Sequence, residues 1–331
     1  MARFSLLALL LIPFLGCSQK SSSSKSENAP PPPVTSKSGL IFQTGFEPDT
    51  KIIKQDDKSA EIIGIDRSLE SQNNWNLDLE QNLNIGYFNI QYQGGDKTQR
   101  LAEIVEDPVN PSNNALKFWI KEPNVNPKKG RIQANIYNNN NIKELKYSIR
   151  LFLPEDFNTI KNAPFEIKWL TLMEFWNNAN WKGEDYQFRI SVNLQKLGKA
   201  PNSLKFAIKS QVRNEETDKW KKPYLWDFHD SNFEVPIGKW MTIDVHFIEG
   251  NEKTGQIKLS VTPDGEPTTI VHNISNFTHH PDDPNPDGLA HINPFKLYTS
   301  DDVIEYVTDA GKLLHVYWDD FKLSINPTNQ D

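Results

Sequence analysis

Arg131-Ile-Gln-Ala-Asn-Ile-Tyr137 alternates polar and apolar side chains without a break. Successive side chains leave a strand on opposite sides, so this period of two marks a strand with one face in a core and one face free. The same signature recurs on both sides of it. Upstream lies Ala115–Lys121; downstream lie Lys146–Leu153, Glu166–Glu174, Gln187–Leu194, Leu204–Ser210, Trp240–Phe247, Gly255–Val261 and Leu314–Leu323. Asn, Asp, Pro and Gly fill the gaps, and long amphipathic helical windows are absent. So many short alternating runs without a βαβ rhythm predict an all-β fold of two stacked antiparallel sheets, a sandwich or jelly roll.

The start of the chain reads differently. Arg3 is followed by an apolar run, Phe4–Gly16, which has the length of a signal-peptide core and is too short to cross a bilayer as a helix. Cys17, the only cysteine among 331 residues, comes directly after it. Phe14-Leu-Gly-Cys17 resembles the bacterial lipobox, which implies cleavage before Cys17 and acylation of its thiol. Residues 18–38 are Ser-rich, then Pro-rich, and bury too little apolar surface to offset their ordering entropy. The expected organisation is a lipoprotein signal peptide at 1–16, a linker at 17–38 and a single β domain at 39–331. The expected location is a bacterial envelope, with a lipid anchor in the membrane. The alternative is an ordinary secretory peptide with an incidental cysteine.

The net charge of −7 argues against nucleic acid as a partner. An acidic ligand would need a local cluster of Lys and Arg. Without a second cysteine, disulfides and thiolate metal sites within the chain are excluded, and no organic cofactor is implied. The protein is expected to be a monomer.

Several runs resemble the concanavalin-A-like jelly roll of bacterial polysaccharide lyases, the alginate lyase, heparin lyase I and ulvan lyase type. They are Phe46-Glu47, Val105–Phe118, Gly130–Asn135, Pro236–Trp240 and Tyr317–Phe321, and together they span most of residues 40–325. The resemblance implies a concave groove that takes an anionic, uronate-containing polysaccharide and cleaves it by β-elimination. It also implies a structural calcium ion away from the groove, held by Glu47 and Asp319; carboxylates suit calcium. The competing reading is two solvated acids at strand ends.

Within the predicted groove, Arg131, Gln133, Asn135 and Tyr137 share one face. These planar hydrogen-bonding groups suit a carboxylated sugar. On the strand beginning at Glu166, the polar phase holds Glu166, Lys168, Glu174 and Trp176, interrupted by Leu170 and Leu172. Desolvation among aromatic neighbours would lower the Lys168 ammonium and make it a candidate base, while a lysine snorkelling at a strand end is the structural alternative. Phe295-Lys-Leu-Tyr298 looks like the lyase strand in which a tyrosine moves a proton, although that family places the tyrosine four residues after the lysine and this chain places it two after. Lys296, Tyr298 and Ser300 share its face. Tyr298 is therefore the second catalytic candidate, against a tyrosine that merely packs.

Arg189 and Asn193 are candidates for flanking sugars or sulfates, and His246 is an alternative base or sugar contact. Trp176, Trp181, Trp220, Tyr224 and Trp226 are candidate stacking surfaces. His279-His280 lies in a Pro/Asp-rich loop read as solvated. Two other functions fit the same fold: a glycoside hydrolase, which needs two carboxylates about 5 to 9.5 Å apart, and a glycan-binding lipoprotein without catalysis.

Overall fold

The structure, a computed structural model, describes residues 35, 38–53, 56–67, 73–124, 130–198, 203–214, 219–220, 223–229 and 232–327. The signal peptide, Cys17 and nearly all of the linker expected from the sequence lie outside the described residues.

The strands open with β1 (Gly39–Thr44), β2 (Lys51–Ile53), β3 (Ser59–Ile63), β4 (Tyr87–Gln93), β5 (Arg100–Glu106) and β6 (Asn114–Ile120). Then come β7 (Arg131–Tyr137), β8 (Glu144–Phe152), β9 (Ile167–Ala179), β10 (Glu184–Lys196), β11 (Lys205–Asn214), β12 (Lys219–Trp220) and β13 (Trp226–His229). The last are β14 (Trp240–Ile248), β15 (Gln256–Pro263), β16 (Thr269–Ser275), β17 (His291–Asn293), β18 (Lys296–Thr299) and β19 (Leu314–Ile325). Two short helices, α1 (Phe157–Lys161) and α2 (Asp301–Asp309), contribute Phe157, Ile160, Val303, Ile304 and Val307 to the core.

Two antiparallel sheets stack as a β-jelly roll, as the alternation predicts. The outer sheet runs β16-β15-β14-β8-β19-β6-β5, with β1 also on β19. The other, the groove sheet, runs β12-β11-β10-β9-β17-β7-β4-β3-β2. β13 pairs with β11 there, and β18 pairs with both β7 and β9. β17 and β18 come late in the chain yet insert between β7 and β9, so residues far apart in sequence become neighbours on the floor.

Period two assigns the faces. On β8, Leu145, Tyr147, Ile149 and Leu151 are buried between the sheets, while Lys146, Ser148 and Arg150 point outward. Full burial of one such aliphatic side chain contributes about 1.5–3 kcal/mol. Phe295 is fully buried and packs against Phe118, Trp318 and Phe321 with ring centroids 6.0, 6.0 and 5.7 Å away. Its neighbour Lys296 therefore points the opposite way, into the groove floor. Ser300 does not continue that face, because it precedes α2 at the helix N-cap.

One strand departs from simple alternation. Val192 pairs with Met173 but Asn193 pairs with Thr171, so β9 carries one extra residue against β10. Such a bulge switches the side-chain phase. Trp169 and Thr171 line the groove before it, and Glu174 and Trp176 line it afterwards. A single phase running from Glu166 to Trp176 is thus incorrect: Leu170 and Leu172 are core residues, and the phase resets around them.

Candidate active site

The strand register lays the groove floor out in rungs. Gln93, Arg131, Tyr298, Thr171 and Asn193 stand opposite one another across β4, β7, β18, β9 and β10. The next rung holds Gln91, Gln133 and Lys296. In the third, Asn293, Glu174, Ser191 and Lys209 are successive partners. Asn293 Nδ2 donates across to Asn135 Oδ1 at 2.8 Å. The fourth rung sets His291, Trp176, Arg189 and Gln211 side by side.

Two recesses open over this floor, of about 480 Å³ and about 250 Å³. They share Arg189, Trp220 and Tyr298. Trp220 covers Arg189, whose guanidinium lies 4.1 Å from the Trp220 ring centroid and 5.5 Å from that of Trp176. The larger recess adds Gln133, Tyr137, Trp176 and His291; the smaller adds Lys168, Asn193, Lys209 and Tyr224.

The floor is an ionic network. Glu174, 1% exposed, bonds Lys296 through Oε2 and Arg189 through Oε1, the latter at 3.2 Å. Burial opposes its charge, but Lys296, Arg189 and Arg131 outweigh burial and hold its pKa below the usual carboxylate range. Burial pulls the Lys296 ammonium down to about 7, aided by Arg131 and Arg189 and opposed by Glu174. Burial pushes the Tyr298 phenol up, so it keeps its proton at neutral pH. The Tyr298 ring lies 5.4 Å from the Arg131 guanidinium and 5.2 Å from Lys296 Nζ. Its hydroxyl makes no hydrogen bond with any described residue.

An amide cluster flanks the network. Gln133 Nε2 donates to Gln91 Oε1 at 3.1 Å and to Asn135 Oδ1 at 2.9 Å. Its own Oε1 is buried without a partner, as is His291 Nδ1. Buried polar atoms are almost always satisfied in a finished fold, so this pair in the larger recess invites hydrogen bonds from a ligand. Burial lowers the His291 imidazole to about 3 and keeps it neutral. Its ring stacks on Trp176, with centroids 5.9 Å apart and planes 11° from parallel. Tyr186 adopts φ 57°, a left-handed conformation uncommon for an aromatic residue, and sets its ring edge-on to both Trp176 and His291.

Of the residues singled out in the sequence, Arg131, Gln133, Asn135, Glu174, Trp176, Arg189, Asn193 and Tyr298 come together here. Lys168 reaches the smaller recess, but it is exposed, and its backbone carbonyl accepts from Gln195 and Lys209. The desolvation expected of Lys168 is found at Lys296. His246 lies on β14 of the outer sheet with Nε2 2.6 Å from Glu144 Oε1, so it is no part of the groove. Trp220 and Tyr224 line the recesses. Trp226 is instead a core residue bonded to the Phe277 carbonyl, and Trp181 packs edge-on against His280. His279 and His280 are buried rather than solvated.

Glu47 and Asp319 are near neighbours, since Asn113 Nδ2 donates to Asp319 and the Asn114 amide to Glu47. Both carboxyls are raised, chiefly by burial. Among the described residues no group of three or more His, Cys, Asp or Glu is gathered to hold a metal ion.

His291, Asn293, Gln91, Lys209 and Tyr186 were not read from the sequence. His291-Ile-Asn293 does alternate, but Pro294 ends the run at three residues, too short for periodicity to register.

No protein-family model matches the chain, and no curated protein is similar to it in sequence. Among solved structures it is similar to an alginate lyase of Aplysia kurodai at 10% identity, over 86% of this chain and 99% of that one, with a TM-score of 0.47. It is similar to an endo-β-1,4-glucuronan lyase of Trichoderma reesei at 15% identity, covering 71% and 90% of the two chains, with a TM-score of 0.41. A glycoside hydrolase catalytic domain of Coprinopsis cinerea is similar at 10% identity over 72% and 84%, with a TM-score of 0.35. Similarity this remote, spanning lyases and a hydrolase, assigns no chemistry to the groove.

Proposed function

We propose that this protein is a polysaccharide lyase that cleaves a uronate-containing glycan by β-elimination, carried at a bacterial envelope on a lipid at Cys17. One observation carries the choice of chemistry. Among the described residues lining the two recesses, Glu174 is the lone carboxylate, and Lys296 and Arg189 already hold it. Hydrolysis by a carboxylate pair has no second member there. Elimination instead needs cations for a carboxylate and two proton-transfer groups.

In this reading Arg131 receives the uronate carboxylate and stabilises the charge that spreads into it as the C5 proton leaves, while the unpartnered Gln133 Oε1 accepts from a sugar hydroxyl. Lys296 in its neutral form accepts that proton. The electron pair forms the C4–C5 double bond, the C4–O4 bond breaks, and Tyr298 protonates O4. In the free protein Lys296 is covered, so Glu174 must turn toward Arg189, which already holds its other oxygen. Lys168, at the rim, binds a neighbouring anionic group.

The test is a set of single variants followed by the ultraviolet absorbance of the unsaturated uronate. Lys296→Met and Tyr298→Phe should each lower the rate about 10²–10⁴-fold, as loss of a positioned proton-transfer group does. Lys168→Ala should raise KM and spare kcat. Loss of kcat in Lys168→Ala with retention in Lys296→Met would transfer the base role to Lys168.

A further inference from the structure

The outward face of the outer sheet carries a shallow trough of about 330 Å³, unconnected with the groove. Lys258, His246 and Lys146 stand directly opposite one another on β15, β14 and β8. Lys322 adds a fourth basic side chain one step along, opposite Ser148. Basic side chains facing each other across strands work against a sheet. Here neither Lys146 nor Lys258 pairs with an acid among the described residues, and Glu144 is engaged by His246. Asp244 is the one acidic residue in the lining. Serines 148, 260 and 324 interleave with the lysines, and a hydroxyl can both donate and accept.

We propose that this trough is a second glycan-binding site, which holds an acidic stretch of polymer on the face opposite the groove. It takes its ligand class from the groove reading above. Strands lie about 4.8 Å apart, so Lys258 and Lys146, two strands apart, present cations about 10 Å apart, a spacing for a linear polymer with charges at intervals. A bilayer surface fits less well, because interfacial binding buries an apolar face and the trough offers a single exposed apolar side chain, Leu40. Holding the polymer at a second point raises its effective concentration at the groove.

The test is calorimetric titration of the intact protein with a heparin hexasaccharide and a polygalacturonate hexamer, at low salt. The surface variant Lys146→Gln/Lys258→Gln/Lys322→Gln should bind one hexamer fewer per chain than the native protein. It should melt at the native temperature and turn over short substrates at the native rate. Unchanged stoichiometry and affinity would overturn the proposal. So would loss of binding to phosphatidylglycerol vesicles with oligosaccharide binding intact, which would make the trough a membrane contact. If no glycan is eliminated at all, the groove reading fails while the hexamer count still decides the trough.

Discussion

The two sheets share a core but treat their outward faces in opposite ways. On the outer sheet, Lys146, Ser148 and Arg150 of β8 stand half-exposed, each backed by a buried apolar neighbour. On the groove sheet, the equivalent positions of β7, β9, β17 and β18 are polar yet buried: Gln133, Asn135, Glu174, Asn293 and Lys296 are each at most 3% exposed. Polar groups taken out of water cost free energy unless they satisfy one another. One face is solvated; the other is a second, polar interior that stability alone does not require.

The comparison can be broken at several points. The largest effect is expected at Tyr298. Its hydroxyl takes part in no hydrogen bond among the described residues, so Tyr298→Phe should lower elimination about 10²–10⁴-fold and shift stability by less than about 0.5 kcal/mol. Next comes Glu174→Gln, which leaves the buried Lys296 and the partly buried Arg189 without their counter-charge and should cost about 3–5 kcal/mol in denaturant unfolding. The matching change on the outer sheet, Glu144→Gln beside His246, removes a half-exposed pair and should cost under about 1 kcal/mol. Equal costs would erase the distinction between the faces.

Two pH effects follow. Elimination should rise with pH through about 7 as Lys296 loses its proton, and hold while Tyr298, raised above its ordinary value, keeps its own. Stability should fall on acidification from the ordinary histidine range down toward about 3. Over that window the unfolded chain protonates His291 while the folded chain keeps it neutral, so protons favour unfolding. His291→Gln should flatten that part of the stability–pH curve.

Much of the fold is legible in the sequence because its cause is local. The run Arg131–Tyr137 matches β7 at both ends, since alternation records which side of a strand meets a core. The site is legible only in part, for three physical reasons. The bulge at Leu172 resets the phase of β9, so alternation carried back from Glu174 leads to Lys168, which reaches the smaller recess only as an exposed residue beside Trp169 and Thr171. Lys296 and Glu174 are 122 residues apart, and only insertion of β18 between β7 and β9 brings them together. The three residues of β17 carry His291 and Asn293 into the floor on a run too brief to show a period.

The central claim is that the groove eliminates rather than hydrolyses. It is tested most directly by incubating the full-length protein with alginate, ulvan, heparin and glucuronan while following reducing ends and unsaturated-uronate absorbance together. The account predicts that both rise in step for at least one of these glycans. New reducing ends without the absorbance would contradict it.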